Sequence, residues 1–393
     1  MIQKVRSNFM MVGMFTRAKD KNKAEITEPT KIPSKNSNWE GLSFQMLIDT
    51  GEFGRHRLKL FGGDNIKGRS YEDKKCKMGD TEIIIKYDDR FDPIELAKVG
   101  RGYKRTVVLN GITHEFLYQL DFINFVAEHF IELARTKVKV MGEITFSYDN
   151  NKKILYKEFN VNSIEEVADD TSYQSKCTMQ LFYNKDVMDR GLIDSNNKLN
   201  VPYLNDLGNK IKLQCFIESK NINKSLSLDS IFYPIEIILD MSKVDFTIER
   251  ASKIANFMIR NFNITDNNIY TCCFDARVIN AQEQKSYTDE ELTQLLTEEE
   301  REYAELYGVS LDEVLAKKQG DSFYGERVNE IRIYQPNSSM PVKTISEAVN
   351  QDMLEIYKTL ASPVQLEDET PTKSEKKSEP VGAIKEDEFE GLF

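Results

Sequence analysis

Hydrophobic and polar positions alternate with period two in one stretch after another of this chain. In LSFQMLID, Phe44, Met46 and Ile48 share one face. In RHRLKLF, His56, Leu58 and Leu60 oppose Arg55, Arg57, Lys59 and Phe61. Such alternation marks a strand with one buried face. NFMMVGMFTRA reads as an earlier strand whose central Gly13 signals a bulge or sharp bend. TEIIIKY reads as another, followed by the basic loop KVGRGYKR. The period then changes: LDFINFVAEHFIELA, Leu120–Ala134, is apolar nearly all round and predicts a well-buried helix. After it, TKVKVMGEITFSY places Val138, Val140, Ile144 and Phe146 on one face, and the turn DNNKK leads into ILYKEFNVNSI, completing a hairpin.

The plan then recurs more loosely. NKIKLQCFIES points Ile211, Leu213, Cys215 and Ile217 inward, and SIFYPIEIILD follows as a strand that Pro234 assigns to an edge or bulge. TIERASKIANFMIRNF carries Ala251, Ile254, Ala255, Met258 and Phe262 at helical spacing behind a Thr247 N-cap. NIYTCCFDARVI is the next strand, and RVNEIRIYQP the last. Between them lies an acidic helical stretch with Ser/Thr-x-x-Glu starts at Thr288 and Thr297. Strands, a helix and a hairpin, twice over, predict a mainly β protein with some helix (α+β), built as two OB-like Greek-key barrels. A β-sandwich with covering helices is the competing architecture. The expected divisions are 1–168, 169–336 with the acidic insertion at about 286–318, and 337–393 as linker and disordered tail. The polar Glu165–Lys176 segment is the expected boundary, with a separate core on each side.

Charge sharpens this division. The net charge of −11 argues at first against a polyanionic partner, but residues 1–168 are net +4 and residues 281–393 net −14. That asymmetry fits a binding surface with an acidic appendage. No apolar run approaches the roughly 20 residues of a membrane span. The short apolar run near the N-terminus is followed at once by Arg17 and Lys19, unlike an export signal. Five cysteines without a Cys-x-x-Cys spacing and three scattered histidines suggest neither a disulfide frame nor a zinc site. A cytoplasmic protein without metal or cofactor is expected.

Catalytic signals are sparse. Gly63-x-x-x-x-Gly68-Arg69-Ser70 has the spacing of a phosphate loop and follows a strand, but the sequence after it lacks an apolar helical face. A glycine-rich turn is the simpler reading. His56, His114 and His129 lie far apart in strand or helix patterns, as structural histidines do. Cys272 and Cys273 point to opposite faces of a strand, so at most one is expected at the surface. No enzyme is indicated.

A basic, aromatic constellation is better defined. Arg55, Arg57, Lys59 and Phe61 share one strand face, and Arg69, Tyr71, Lys74 and Lys75 follow. Arg101, Tyr103, Lys104 and Arg105 form a second cluster in a loop flanked by glycine. Trp39, the sole tryptophan, and Phe44 of the strand that follows it are counted among the binding residues, and the hairpin adds Tyr148, Lys152, Lys153 and Tyr156. Cations that track phosphates and rings that stack on bases are how single-stranded nucleic acid is held. Charged strands are also often plain solvated faces, and lone aromatics plain core.

The chain ends in KEDEFEGLF behind a Pro-, Ser-, Lys- and Glu-rich stretch, Glu367–Ala383. Glu386, Asp387, Glu388, Phe389, Glu390, Leu392 and Phe393 form an acidic, phenylalanine-terminated hook. With the hairpin KVKVMGEITFSYDNNKKILYKEFNVNSI, this tail resembles the single-stranded DNA-binding proteins of bacteria and their phages, and the phage type more than the bacterial one. The chain departs from the bacterial type in its length, its two modules and Gly391-Leu392 before the last residue. The resemblance implies sequence-independent binding of single-stranded DNA in phage replication, recombination or repair. It also implies that the hook recruits replication proteins such as a polymerase, primase or helicase, Phe393 inserting into a basic pocket. A phage structural or assembly protein with an acidic tether is the alternative.

Overall fold

A computed structural model describes residues 7–34, 38–68, 70–149, 154–220, 230–242, 244, 246–284, 294–311, 314, 315, 318, 324–347, 349–358, 366 and 367. The acidic hook therefore lies outside the described residues. Five long strands come first: β1 (Asn8–Arg17), β2 (Trp39–Asp49), β3 (Arg55–Lys67), β4 (Lys137–Asp149) and β5 (Ile154–Glu166). β1 pairs with β2, β2 with β3, β3 in parallel with β5, β5 with β4, and β4 with β1. The ring is a closed five-stranded barrel, and the molecule is mainly β. Its order, with the parallel seam between the third and fifth strands, is that of an OB-type Greek key.

The alternation in the sequence sets which side chains fill this barrel: Phe44, Met46, Ile48, Leu58 and Leu60 are all fully buried. Helix α1 (Gln119–Glu128) lies between β3 and β4 and sends Phe122, Ile123 and Val126 into the same core. The single helix expected over Leu120–Ala134 breaks at His129 (φ −95°, ψ 13°), and Phe130–Leu133 forms a separate turn. Its burial is also one-sided, because Asn124 and Glu128 are exposed. Two hairpins, Lys74–Met78 with Thr81–Ile85 and Arg105–Leu109 with Ile112–Phe116, fill the excursion between β3 and α1. The first encloses a small core of Cys76, Ile85, Leu96, Val99, Leu117 and Tyr118, while the second sends Val107, Leu109 and Phe116 into the barrel core.

The second half contributes β6 (Gln174–Tyr183), β7 (Lys210–Lys220), β8 (Ser230–Asp240), β9 (Tyr270–Gln284) and β10 (Tyr324–Pro336). Their pairings follow the same order, but β6 meets β7 only at Phe182–Phe216 and β8 meets β10 only at Ile238–Arg332. Pro234, which has no N–H to give, sits on β8 where the β10 side has no partner, so the expected edge position is a local one. Helix α2 (Ile248–Phe262) buries Ala255, Met258 and Phe262, and Thr247 accepts from the Arg250 amide as its cap. Helix α3 (Glu298–Tyr307) starts at Thr297 with a capping box through Glu300; Thr288 lies outside the described residues.

The two halves are not separate bodies with separate cores. β1 pairs with β6 through Asn8–Val12 and with β2 through Met14–Arg17. Gly13 stands at the switch between these partners, where a Cβ would lie 2.2 Å from the Asp49 carbonyl oxygen. One continuous core joins Phe9, Leu58 and Phe122 to Met179, Ile237 and Phe274. The expected boundary is a short turn, since β5 ends at Glu166 and β6 begins at Gln174. Lys137 Nζ clamps that turn by donating to the Thr171 carbonyl at 2.8 Å.

Part of the stretch expected as linker is also structured. Thr344–Ile345 pairs with β9, and helix α4 (Gln351–Lys358) packs over the second half with Leu354 fully buried. All five cysteines are buried and free of disulfides, including both Cys272 and Cys273. Burial pushes the Cys272 thiol up to about 12 and the Cys273 thiol up to about 11, which keeps both protonated. Among the described residues no helix is long and apolar enough to cross a membrane.

Candidate nucleic-acid interface

The outer face of the β2–β3 ribbon follows from register. Asp49 is opposite Arg55, Leu47 opposite Arg57, Gln45 opposite Lys59, Ser43 opposite Phe61, Gly41 opposite Gly63 and Trp39 opposite Asn65. Phe44 belongs to the other parity and is fully buried, so its place among the binding residues is corrected to the core. Trp39 stays half-buried, and its indole lies across two glycines. A Cβ at Gly41 would fall 2.0 Å from the indole Cη2, and one at Gly63 would fall 2.5 Å from Cζ2. The paired glycines thus form a floor on which a large ring lies against the sheet. Beside it Phe61 is 46% exposed, with Lys59 Nζ 4.7 Å from its ring centre.

The cations of this face are held in a row by their own partners. Arg55 Nε donates to Asp49 at 2.9 Å, Arg57 to the Gln45 side-chain carbonyl at 2.6 Å, and Lys59 to Glu158 of β5 at 3.0 Å. An exposed pair such as Arg55–Asp49 contributes about 0–1 kcal/mol, so a phosphate can replace that carboxylate at little cost. Tyr156 lies half-buried on the same side of β5 as Glu158, and its backbone pairs with Glu367.

A cleft of about 390 Å³ opens next to this face, between β3 and the two hairpins. It brings together Lys74, Lys75, Tyr103 and Arg105 around Gly62, Gly63 and Asp64, uniting two clusters far apart in sequence. Arg105 Nε has no hydrogen-bond partner among the described residues, and burial pulls the guanidinium below its ordinary range. Lys74 is held by Asp64, a buried carboxylate that also accepts from the Leu120 amide at 3.1 Å. Lys75 and Arg101 are exposed, and Tyr103 is 42% exposed.

Two other candidates are structural. Lys104 Nζ is enclosed between Glu115, at 2.8 Å, and the Leu96 carbonyl, at 3.1 Å, which removes it from the surface. Tyr71 donates to Glu40 at 2.8 Å and packs on Tyr87 and Tyr118; burial, reinforced by Glu40, holds its phenol far above the ordinary range. Tyr148 lies in β4, its side chain outside the description, and Arg69, Lys152 and Lys153 lie outside the described residues altogether.

The phosphate-loop spacing does not form a loop. Gly63–Lys67 are part of β3, and Gly68 (φ 67°) turns the chain into Ser70–Tyr71, which pairs back on Ile66–Lys67. His56 is fully buried, 3.2 Å from the Ser175 hydroxyl and edge-on to Phe159. Among the described residues no three His, Cys, Asp or Glu side chains gather as a metal site would require.

Reading the sequence missed the anionic half of the face. Asp49 was legible from its hairpin register with Arg55, but Glu158 reaches Lys59 only through the parallel β3–β5 seam. Asp64, within the glycine-rich run, gave no signal of its role beneath Lys74.

No family model matches the chain, and no curated protein matches it in sequence. Among solved structures it is similar to a deletion mutant of the single-stranded DNA-binding protein from Thermus aquaticus. The match is 9% identical, covers 70% of this chain and 87% of that one, and has a TM-score of 0.24. A likeness at that level carries no weight for function, which must come from the surface itself.

Proposed function

We propose that this chain binds single-stranded DNA without sequence preference and without catalysis, laying the strand along the outer face of β2–β3 and into the adjoining cleft. The observation that carries the reading is Trp39 lying against Gly41 and Gly63, in line with exposed Phe61 and the row Arg55, Arg57 and Lys59. Rings set against a sheet offer a face to any base, and a row of cations follows the phosphates whatever the bases are. The β2–β3 ribbon is also where OB barrels bind oligonucleotides. Arg105, Lys74, Lys75 and Tyr103 extend the path beyond the ribbon.

Two further elements complete the proposal. The second half is an OB-like barrel of the same plan, loosened at two seams. The acidic hook ending at Phe393 recruits replication proteins, in phage DNA replication or recombination, while the first barrel holds the strand. Its charge and apolar side chains support this role, since a merely solubilising tail has no use for Phe389, Leu392 and Phe393.

Titration of the protein with oligothymidine, read by Trp39 fluorescence at several salt concentrations, tests the reading. Quenching should saturate in step with binding, and affinity should fall steeply with salt. Binding that ignores salt, or emission unchanged at saturation, would overturn it.

A further inference from the structure

The outer face of the second ring is chemically unlike that of the first. Strand parity turns Phe182, Phe216 and Phe232 outward on β6, β7 and β8, the strands that correspond to β1, β2 and β3. Phe182 and Phe216 are paired across their strands, and Phe182 meets Phe232 edge-on at 5.1 Å. The first face has three cations in a row. Here Lys212, further along β7, is matched to Glu236 at 3.1 Å, and the same carboxylate accepts from Gln214. Lys210 on the same side of β7 is likewise matched to Glu330 at 3.3 Å, so a strand would find rings on this face and cations already paired.

That face is already occupied. Val349, Met353 and Leu354 close over the three phenylalanines, which are 4–5% exposed. The cover is delivered along the neighbouring edge: Thr344–Ile345 pairs with β9, and the Ser346 amide donates to the Ile269 carbonyl at 2.8 Å. Asn350 then caps α4 by accepting from the Met353 amide at 3.0 Å, and Asn184 donates to Gln351 at 3.2 Å. An eight-residue helix is marginal by itself in water, so its order comes from the surface it covers.

We infer that the second barrel has given its strand-binding face over to an amphipathic helix, the chain's own α4. The strand is then held by the first barrel alone. The exclusion of a strand rests on the function proposed above; the docking of a helix does not.

The test uses the full-length chain and a full-length variant carrying Met353→Gln and Leu354→Gln. Amide exchange at 351–354 should speed up at least tenfold in the variant. A fluorescent peptide of residues 346–360 should bind the variant at least tenfold more tightly than the wild type, whose tethered helix competes at millimolar effective concentration. The length of oligothymidine covered per molecule should be the same for both. Asn350→Ala, which removes only the cap, should loosen protection about fivefold without touching the core. A variant that covers a longer stretch of oligothymidine would overturn the inference, since the face would then be a masked strand-binding surface. A peptide that ignores the variant would overturn it too. If the wild type fails to bind oligothymidine, the strand reading and the exclusion fall, while the peptide measurement decides the docking independently.

Discussion

Replacing Glu158 by Gln should make the protein bind single strands more tightly. Glu158 holds Lys59 at 3.0 Å, and both side chains are about a quarter exposed, at 27% and 23%. In the free protein this carboxylate keeps the ammonium extended over Phe61. In a complex it remains beside the phosphate that Lys59 is proposed to meet. A unit charge about 4 Å away in water contributes about 1 kcal/mol, or about fivefold in affinity. At physiological salt, where the Debye length is about 8 Å, the gain should fall to about two- to threefold. Gln keeps an acceptor for Lys59, so the fold should lose no more than the about 0–1 kcal/mol of a surface pair.

The measurement is an oligothymidine titration at several salt concentrations, beside denaturant unfolding of the same samples. Glu158→Gln should raise affinity at low salt and steepen the plot of log K against log salt, by about 0.7 if one further phosphate contact becomes effective. Lys59→Ala should do the opposite. Unchanged or weaker binding in a folded Glu158→Gln protein would show that no phosphate comes near Lys59, and the strand path along β3 would have to be abandoned.

Other tests bear on separate parts of the structure. Trp39→Ala should cost about 1–3 kcal/mol of strand affinity if one base stacks there, measured by anisotropy of a labelled oligonucleotide. Gly41→Ala should mimic part of that loss and shift the tryptophan emission, because its Cβ would fall 2.0 Å from the indole; wild-type emission and affinity would refute the glycine floor. Because β1 bridges both halves and one core runs through them, thermal unfolding should be a single transition, and two resolved transitions would contradict the fused core. Phe393→Ala should remove much of the proposed capture of replication proteins while leaving oligothymidine affinity unchanged, and undiminished capture would reduce the hook to an acidic tether.

What could be read beforehand divides by the range of the interaction. Period-two alternation is local, and it correctly placed His56, Leu58 and Leu60 inward and Arg57, Lys59 and Phe61 outward. The same parity rule already assigns Phe44 to the inner face, so counting it as a binding residue went against a signal that was present. Lys104 is different. Nothing near it in sequence shows that Glu115, across a hairpin, and the Leu96 carbonyl will enclose its ammonium. The cleft is harder still, since Lys74 and Arg105 are brought together by the packing of two hairpins against β3. Non-local closure also explains why the second half looked like a weaker copy of the first. Its outward phenylalanines break the polar-out pattern, and the segment that justifies them, Val349–Leu354, lies more than a hundred residues further on, in a stretch that reads as linker. An apolar residue on the solvent side of a predicted strand is therefore a request for a partner from elsewhere in the chain. Here, among the described residues, the first barrel leaves Phe61 46% exposed, and the second half covers Phe182, Phe216 and Phe232. That difference in cover separates the face proposed to take a strand from one that is already filled.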